Sequence, residues 1–417
     1  MRVLVIGSGG REHTIVWKLK GEGKVKEIYC APGNAGIAKI AQCINIGDNE
    51  IERLSNFALT NNIDLTIVGP EVPLVNGIVD KFQDLGLKIF GPNKQCAQLE
   101  GSKSFSKDFM IRHNIPTAKY GEYIDINCAI KDIDNFGYPV VLKADGLAAG
   151  KGVVIAQNRE EALNTLKEMM EEKKFGEAGN KVVIEEYLSG IETSILAFVD
   201  SDTIVPMVSA KDHKRIYDNE EGPNTGGMGT FSPSSIYTEE LSKIINEQVL
   251  QRTLDGLKRD KLNYKGVIFI GLMMTNDGPK VLEYNVRFGD PETQVVLTRL
   301  KTNLTDIIDS ILNNDLKNID IKYEDCATVC VMLTSKGYPD NYEKGKIITG
   351  TDSVDEDIMV FHSGTKLVND NLVTNGGRVI GITAKGKTLE EATEKAYKNV
   401  AKVKFEGAHY RNDIGLK

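Results

Sequence analysis

Glu283-Tyr-Asn285-Val-Arg287 follows the apolar pair Val281-Leu282, and the reading of this short run decides how the rest of the chain is read. Alternation along a strand sends every second side chain to one face, so Glu283, Asn285 and Arg287 share a face. A carboxylate beside an amide oxygen is a hard-oxygen pair suited to a magnesium ion held jointly with phosphates. The arginine can balance charge on a transferring phosphoryl group. A single acidic strand residue ordinarily belongs to a solvated face. Here three polar groups follow an apolar pair, and Phe288-Gly-Asp290-Pro-Glu292 leads away as a tight loop, which favours a site.

Two upstream segments point the same way. Lys143-Ala-Asp-Gly146-Leu-Ala-Ala-Gly150-Lys-Gly152 lies between two apolar β runs, 140–144 and 153–156. Such a unit is either a plain surface hairpin or a flap whose N–H groups close over phosphates. The Walker spacing is absent. Glu185-Glu186-Tyr187-Leu188 ends the next strand, with Glu192 close behind. This supplies hinge backbone for an adenine edge and an acid for ribose hydroxyls. The segments together predict a nucleotide cleft.

Farther out, the first hundred residues alternate strand and helix, with strands at 2–6, 25–30, 64–68 and 87–90 and helices at 11–20, 51–61 and 75–85. That alternation predicts a parallel, doubly wound sheet, whose ligands gather at the carboxyl ends of its strands. Gly7-x-Gly9 there is not a dinucleotide fingerprint. Glu12 occupies the third glycine position, and Ala31-Pro32-Gly33 replaces the acid after the second strand. What remains is a helix N-terminus with N–H groups at Gly9 and Gly10 beside Arg11, suited to one phosphate group. Downstream, 211–233 reads as a long polar loop, 239–257 as a helix, and the chain beyond about 327 as short strands with glycine turns and a helix at 389–400.

A length of 417 residues calls for several compact units. The formal net charge of −8 argues against nucleic acid as the main partner, though a local donor cluster can still hold a small phosphorylated ligand. The six cysteines are scattered, and Cys326 and Cys330 lie in an apolar, strand-like run, so reduced thiols in the cytoplasm are expected. No signal peptide or membrane-spanning run is seen.

The nucleotide-cleft residues closely resemble the ATP-grasp superfamily. The resemblance implies that Lys103 in Gly-Ser-Lys103 and Lys143 contact nucleotide phosphates, with Gly146, Gly150 and Gly152 in the flap. It matches the Glu-x-Asn-x-Arg strand to Glu283 and Asn285 as metal ligands and Arg287 as a catalytic group. One departure stands out: many relatives add an acidic ligand on the preceding strand, where this chain has Ile270-Gly-Leu-Met-Met274.

Further motifs narrow the match. Gly7-Ser-Gly-Gly-Arg-Glu-His13, Pro32-Gly-Asn-Ala-Gly36, Val68-Gly-Pro-Glu71-Val-Pro-Leu74, Lys211-Asp-His-Lys-Arg215, Gly222-Pro-Asn-Thr-Gly-Gly-Met-Gly229, Arg287-Phe-Gly-Asp-Pro-Glu-Thr-Gln294 and Asn375-Gly-Gly-Arg-Val379 span the chain in order. They resemble the phosphoribosylamine–glycine ligase (glycinamide ribonucleotide synthetase) family. That resemblance implies ATP with magnesium or manganese, formation of glycyl phosphate, and transfer to 5-phosphoribosylamine. It implies substrate contacts from Gly9, Gly10, Arg11, Asn34, Glu71, Asp212, His213, Lys214, Asn224, Thr225, Gly226, Gly227, Asp290 and Arg378, with Asp212 and Lys143 also catalytic. His213 reads equally well as a solvated loop residue. The expected architecture is α/β: an N-terminal domain at 1–102, an ATP-grasp domain at 103–325 with a lid at about 118–190, and a β-rich domain at 326–417, as a monomer or weak oligomer. A non-catalytic ATP-binding regulator and a bicarbonate-using carboxylase are the rival readings. The intact Lys143 and Glu283–Arg287 residues speak against the first. The Asp-His-Lys-Arg and Thr-Gly-Gly-Met-Gly segments do not suit the second.

Overall fold

The computed structural model describes residues 1–148, 152–234 and 237–416, so Gly150 of the glycine loop lies outside the described residues. Arg2–Gly7 forms the centre of a five-stranded parallel sheet. Glu27–Pro32 and Gln42–Cys43 lie to one side of it, Leu65–Val68 and Ile89–Phe90 to the other. Val3 and Val5 feed one hydrophobic cluster and Leu4 and Ile6 another, so the central strand is buried on both faces. The segment 75–85, expected as one helix, belongs to two, Glu71–Val75 and Ile78–Asp84. The break falls at Gly77, whose φ of 88° is left-handed backbone that glycine adopts freely.

The lid is a four-stranded antiparallel sheet in the order Tyr120–Tyr123, Val182–Glu186, Val140–Ala144, Val153–Ala156. Helices Ile126–Asp132 and Arg159–Leu166 contribute to its own core, in which Ala129, Leu142, Leu166 and Ile184 are wholly buried. The larger lobe is built on Ile204–Pro206, Ile191–Val199, Gly266–Thr275 and Gly278–Asn285. The strand ending at Asn285 is an edge, and Glu283 pairs with Gly271 at a bulge. Bulges re-aim side chains, and this one sits beside the Glu-x-Asn-x-Arg run.

The segment 211–233 departs from its reading as a polar loop. Lys211–Asp212 and Gly229–Ser232 join Ala327–Thr334, Arg378–Gly386 and Met359–His362 in the C-terminal sheet. Between them, Arg215–Tyr217 and Glu221–Asn224 pair as a two-stranded ribbon. Strands this short, flanked by glycines, leave no readable period. Helix Glu292–Arg299 follows Pro291 directly, and every one of its residues is buried. A helix enclosed on all sides has no polar face to betray it.

Candidate functional site

The cleft between lid and large lobe begins with a buried triad of charge. Glu185, 2% exposed, lies 2.8 Å from Lys143 Nζ and 2.9 Å from Lys107 Nζ. Burial raises its pKa, but the two ammonium groups more than reverse that and hold it below the ordinary carboxylate range. Lys107 is itself pushed down to about 8, because burial outweighs the attraction of Glu185. Lys143 Nζ also donates to the carbonyl of Leu282 at 3.2 Å, reaching from the lid sheet to the residue beside Glu283. Lys103 begins helix Lys103–Arg112 and donates to the carbonyl of Gly146 at 3.4 Å. Asp145 accepts from the N–H of Ser104 at 2.7 Å and thereby anchors the glycine loop to that helix start. A side chain on Gly152 would collide with Ala148.

At the hinge, Leu188 is buried and Tyr187 exposed. Glu186 Oε1 accepts the Lys119 N–H at 3.0 Å. Glu192 pairs with Lys214, which puts the expected ribose acid against the residues expected to meet the substrate.

Glu283 is half-buried, yet its pKa is lowered. Burial acts to raise it, and the ammonium groups of Lys214, Lys143 and Lys103 prevail. Asn285 Oδ1 accepts from Arg287 Nη2 at 3.0 Å. The same guanidinium meets Glu100 Oε1 at 3.0 Å and Glu71 Oε2 at 3.5 Å. Among the described residues no cluster of three or more His, Cys, Asp or Glu is placed to hold a metal. Glu283 and Asn285 therefore stand as a two-residue, hard-oxygen pair in a field of positive charge.

The Asp212–Lys214 segment lines the far wall. Asp212 Oδ1 is buried without a hydrogen-bond partner, and burial together with the Glu292 carboxylate pushes the Asp212 carboxyl well above its ordinary range. Lys214 is raised despite its burial, chiefly by Glu192 and Glu283. His213 is buried rather than solvated, with its Nε2 left without a hydrogen-bond partner. Strand alternation turns it away from its two neighbours, into contact with Phe231 at 5.9 Å between ring centroids and with Glu220 at 2.7 Å. Thr225 donates to the carbonyl of Lys214 through both its N–H, at 2.8 Å, and its hydroxyl, at 2.7 Å. Asn224 is exposed. Gly226 donates to the Tyr338 hydroxyl at 2.9 Å. Gly227, at φ 115°, packs where a Cβ would overlap Pro291 and approach Asp212. Arg378 donates to the carbonyls of Gly226 and Asp290 at 2.6 Å each, and its Nη2 lies 3.4 Å from Asp290 Oδ2.

The N-terminal helix start is not the open anion site that the sequence suggests. Glu12 Oε2 accepts the Gly9 N–H at 2.6 Å, and Glu12 Oε1 accepts from Arg11 Nε at 2.6 Å. Arg11 Nη1 donates to the Phe288 carbonyl at 3.1 Å, and its backbone N–H faces Asp290 Oδ2 at 3.4 Å. A side chain at Gly10 would strike Ser363 and Gln294. Arg11 is thus an internal tie, and two carboxylates already take the Gly9 and Arg11 N–H groups. Asn34 departs likewise. Its amide donates to the carbonyls of Ser8 (2.8 Å) and His362 (2.9 Å) and accepts from the N–H groups of Gly36 and Ile37. It joins the N- and C-terminal units and has nothing left for a substrate.

Residues missed in the sequence are those that hold others. Lys107 was signalled only by its i,i+4 relation to Lys103 on one helix. Glu100 gives no local signal, because its partner Arg287 lies 187 residues away, whereas Glu12 stands three residues after Gly9, the spacing of a helix-start cap, and could have been found from it.

Three family descriptions match the chain. Residues 1–100 match the N domain of phosphoribosylglycinamide synthetase, 101–293 its ATP-grasp (A) domain, and 328–417 its C domain. A phosphoribosylamine–glycine ligase of Fusobacterium nucleatum is 51% identical over 418 residues, covering 100% of this chain and 98% of that one. The crystal structure of a phosphoribosylamine–glycine ligase from Thermotoga maritima superposes with a TM-score of 0.87 at 34% identity, covering 99% and 100% of the two chains. The crystal structure of a biotin carboxylase–beta-gamma-ATP complex from Campylobacter jejuni aligns at TM-score 0.75 and 16% identity over 100% of this chain and 94% of that one, a likeness of fold alone.

Proposed function

The chain belongs to the phosphoribosylglycinamide synthetase family, and from that membership we propose how its residues carry out the ATP-dependent ligation of glycine to 5-phosphoribosylamine. The observation that carries the reading is the Lys143 to Leu282 hydrogen bond at 3.2 Å, which brings the lid lysine to the Glu283–Arg287 run across the cleft.

Lys103 and Lys143 bind the ATP phosphates, with Gly146 and Gly152 in the loop that covers them. The backbone 185–188 receives the adenine edge, and Glu192 takes the ribose hydroxyls. Glu283 and Asn285 would hold a divalent cation, magnesium or manganese, which would supply neutralisation of phosphate charge. A glycine carboxylate oxygen attacks the γ-phosphorus, and the β–γ bridging oxygen leaves with ADP. Arg287, held by Glu71 and Glu100, faces the charge on the transferring group without needing to reorganise. The phosphoribosylamine nitrogen then attacks the acyl carbon, phosphate departs, and the nitrogen releases one proton. Closure of the glycine loop excludes water from an acyl phosphate that hydrolyses readily. Asp212 and Lys214 face the glycine side of the cleft, and Arg378, Asp290 and 224–227 the phosphoribosylamine side.

The proposed division of labour is 1–102, 103–325 and 326–417, with 211–232 lending strands to the last unit. A formal charge of −8 and free cysteines suit a cytoplasmic enzyme of small molecules. Among the described residues no helix is long and apolar enough to cross a membrane. The test is the nucleotide product: with glycine and phosphoribosylamine, ADP and phosphate accumulate one for one with glycinamide ribonucleotide. Release of AMP and pyrophosphate overturns the acyl-phosphate route.

A further inference from the structure

Arg411 carries the bulkiest fully buried side chain among the described residues, a costly place for a cation unless its partners are fixed. Its Nε and Nη2 donate to the two carboxylate oxygens of Asp413 at 2.7 Å each, a bidentate fork. Nη2 also reaches Glu220 Oε1 at 2.8 Å, and Nη1 donates to the carbonyl of Arg215 at 3.1 Å. Glu220 Oε1 in turn faces His213 Nδ1 at 2.7 Å, and His213 stands between Asp212 and Lys214.

The neighbours of Arg411 extend the hold along the ribbon. His409 Nε2 lies 2.9 Å from the carbonyl of Ile216. Asn412 donates to the Asp218 carboxylate from its backbone at 2.8 Å and its side chain at 3.0 Å. Asp413 Oδ2 accepts the Asn219 N–H at 2.9 Å. The ribbon needs such support. Asn219 and Glu220 both have φ of 59°, left-handed backbone that residues with a Cβ adopt only where their surroundings hold them there. Burial acts to raise the carboxyls of Glu220 and Asp413, yet their partners hold both down at about 2, so the network stays charged.

We propose that Arg411 is a positioning residue for the ligation: through Glu220 and His213 it fixes where Asp212 and Lys214 stand, and through the 409–413 segment it holds the ribbon that delivers 224–227 to the cleft. This rests on the reading of Asp212 and Lys214 as substrate-facing. The nucleotide side meets this segment only through Lys214, which pairs with Glu192 and bears on Glu283, whereas Lys103, Lys107 and Lys143 are held by other elements. Losing the hold therefore moves the carboxylic and amine substrates most and ATP least.

The experiment is steady-state kinetics on the full chain for R411A, R411K, D218N and D212N, with each substrate varied in turn. R411A should raise the glycine KM by about tenfold, the scale of a sub-ångström misplacement, with the ATP KM nearly unchanged. Added guanidinium ion in the millimolar range should restore part of that loss. R411K should not recover it, because an ammonium cannot span the Asp413 fork. If R411A fails to fold, D218N weakens only the Asn412 tie, by removing the charge and one of its two acceptors, and should give a smaller change in the same direction. A uniform fall in kcat with every KM unchanged, an equal loss of ATP affinity, or parental kinetics in R411A and D218N overturns the positioning role. D212N separates the two ideas. If D212N leaves the glycine KM unaltered, the substrate-facing reading fails and the positioning role with it. If D212N raises that KM while R411A and D218N do not, only the positioning role fails.

Discussion

Two regions of this molecule present N–H groups and cations as though for a phosphate, and they differ in what the chain itself sets against them. In the cleft, Glu283 faces Lys214, Lys143 and Lys103, and their combined field keeps a half-buried carboxylate charged. Around Glu283 itself three ammonium groups bear on one carboxylate. At the start of helix Gly10–Lys20 the balance is reversed. Glu12 takes the Gly9 N–H and the Arg11 guanidinium, while Asp290 faces the Arg11 N–H. A helix N-terminus is an anion site only while its donors are free. The local countercharge decides: Glu12 comes from the same glycine motif as Arg11, and Asp290 is brought to it by the fold.

The hardest test of the cleft concerns the carboxylate that anchors its lysines. Lys107→Met leaves Glu185 in its closed environment with only Lys143 as a charged partner. Breaking a buried pair in this way costs about 3–5 kcal/mol, read as a fall in the urea midpoint at unchanged slope. A loss below about 1 kcal/mol, the range of exposed pairs, would mean that Glu185 does not set the charge of the cleft.

Next in size is the Glu283–Asn285 pair, proposed above to hold the cation. Glu283→Gln removes the charged oxygen and should slow turnover about a hundredfold, or ~2.7 kcal/mol, with the fold intact. Asn285→Ala should follow with a smaller loss. Near-parental kcat for Glu283→Gln at limiting magnesium would break the comparison from the side that now looks secure.

What the sequence made legible and what it concealed divide along similar lines. The parallel sheet could be read because buried strands alternating with helices leave a pattern within single windows of the chain. Glu283, Asn285 and Arg287 could be placed on one face because alternation is a local rule. The same rule, applied to 212–214, separates His213 from Asp212 and Lys214, but only once that segment is known to be extended. Its strand pairings are with 230–231 and, through them, with 327–334, so no local window contains the cause. Apart from Glu12, the neighbour of Arg11 in the chain, the partners of Arg11 and Arg287 were concealed for a related reason. Phe288 and Asp290 meet Arg11 from 277 and 279 residues away, and Glu100 meets Arg287 from 187. Helix Glu292–Arg299 was hidden by being buried throughout.

A third measurement probes the N-terminal region as structure. His13 and His362 lie with ring centroids 5.6 Å apart at the junction of the N- and C-terminal units, where His13 Nδ1 accepts the His362 N–H at 2.8 Å. Burial, then the neighbouring His362, lowers the His13 pKa to about 3, and burial with Lys39 lowers that of His362 to about 4. Both are neutral in the folded chain at pH 6, whereas the unfolded chain takes up protons below about 6.5. The unfolded state therefore binds more protons, and stability falls as pH drops from about 6.5 towards 4 by up to ~1.4 kcal/mol per pH unit for each histidine. Between pH 6.5 and 5, before most carboxylates titrate, His13→Gln should remove about half of that slope. An unchanged slope would assign the acid sensitivity elsewhere.

The smallest expected effect is the one that most directly opposes the two regions. Ribose 5-phosphate carries the phosphate of the amine substrate without its reactive nitrogen, so it reports binding alone. If Arg378 and 224–227 form the phosphate side of the cleft, amide exchange at Gly226 and Gly227 should slow in its presence by a few-fold. The Gly226 N–H already donates to the Tyr338 hydroxyl, and ordering around it adds only modest protection. At Gly9, Gly10 and Arg11 the exchange should not move, because Glu12 and Asp290 repel an anion from donors they already occupy. Glu12→Gln sharpens the test by removing one charge while keeping an acceptor for the Gly9 N–H. Protection of 9–11 in that variant alone would identify the Glu12 carboxylate as what closes the helix start. Protection of 9–11 in the parent chain, with none at 226–227, would return the phosphate to the N-terminal helix and reverse the comparison.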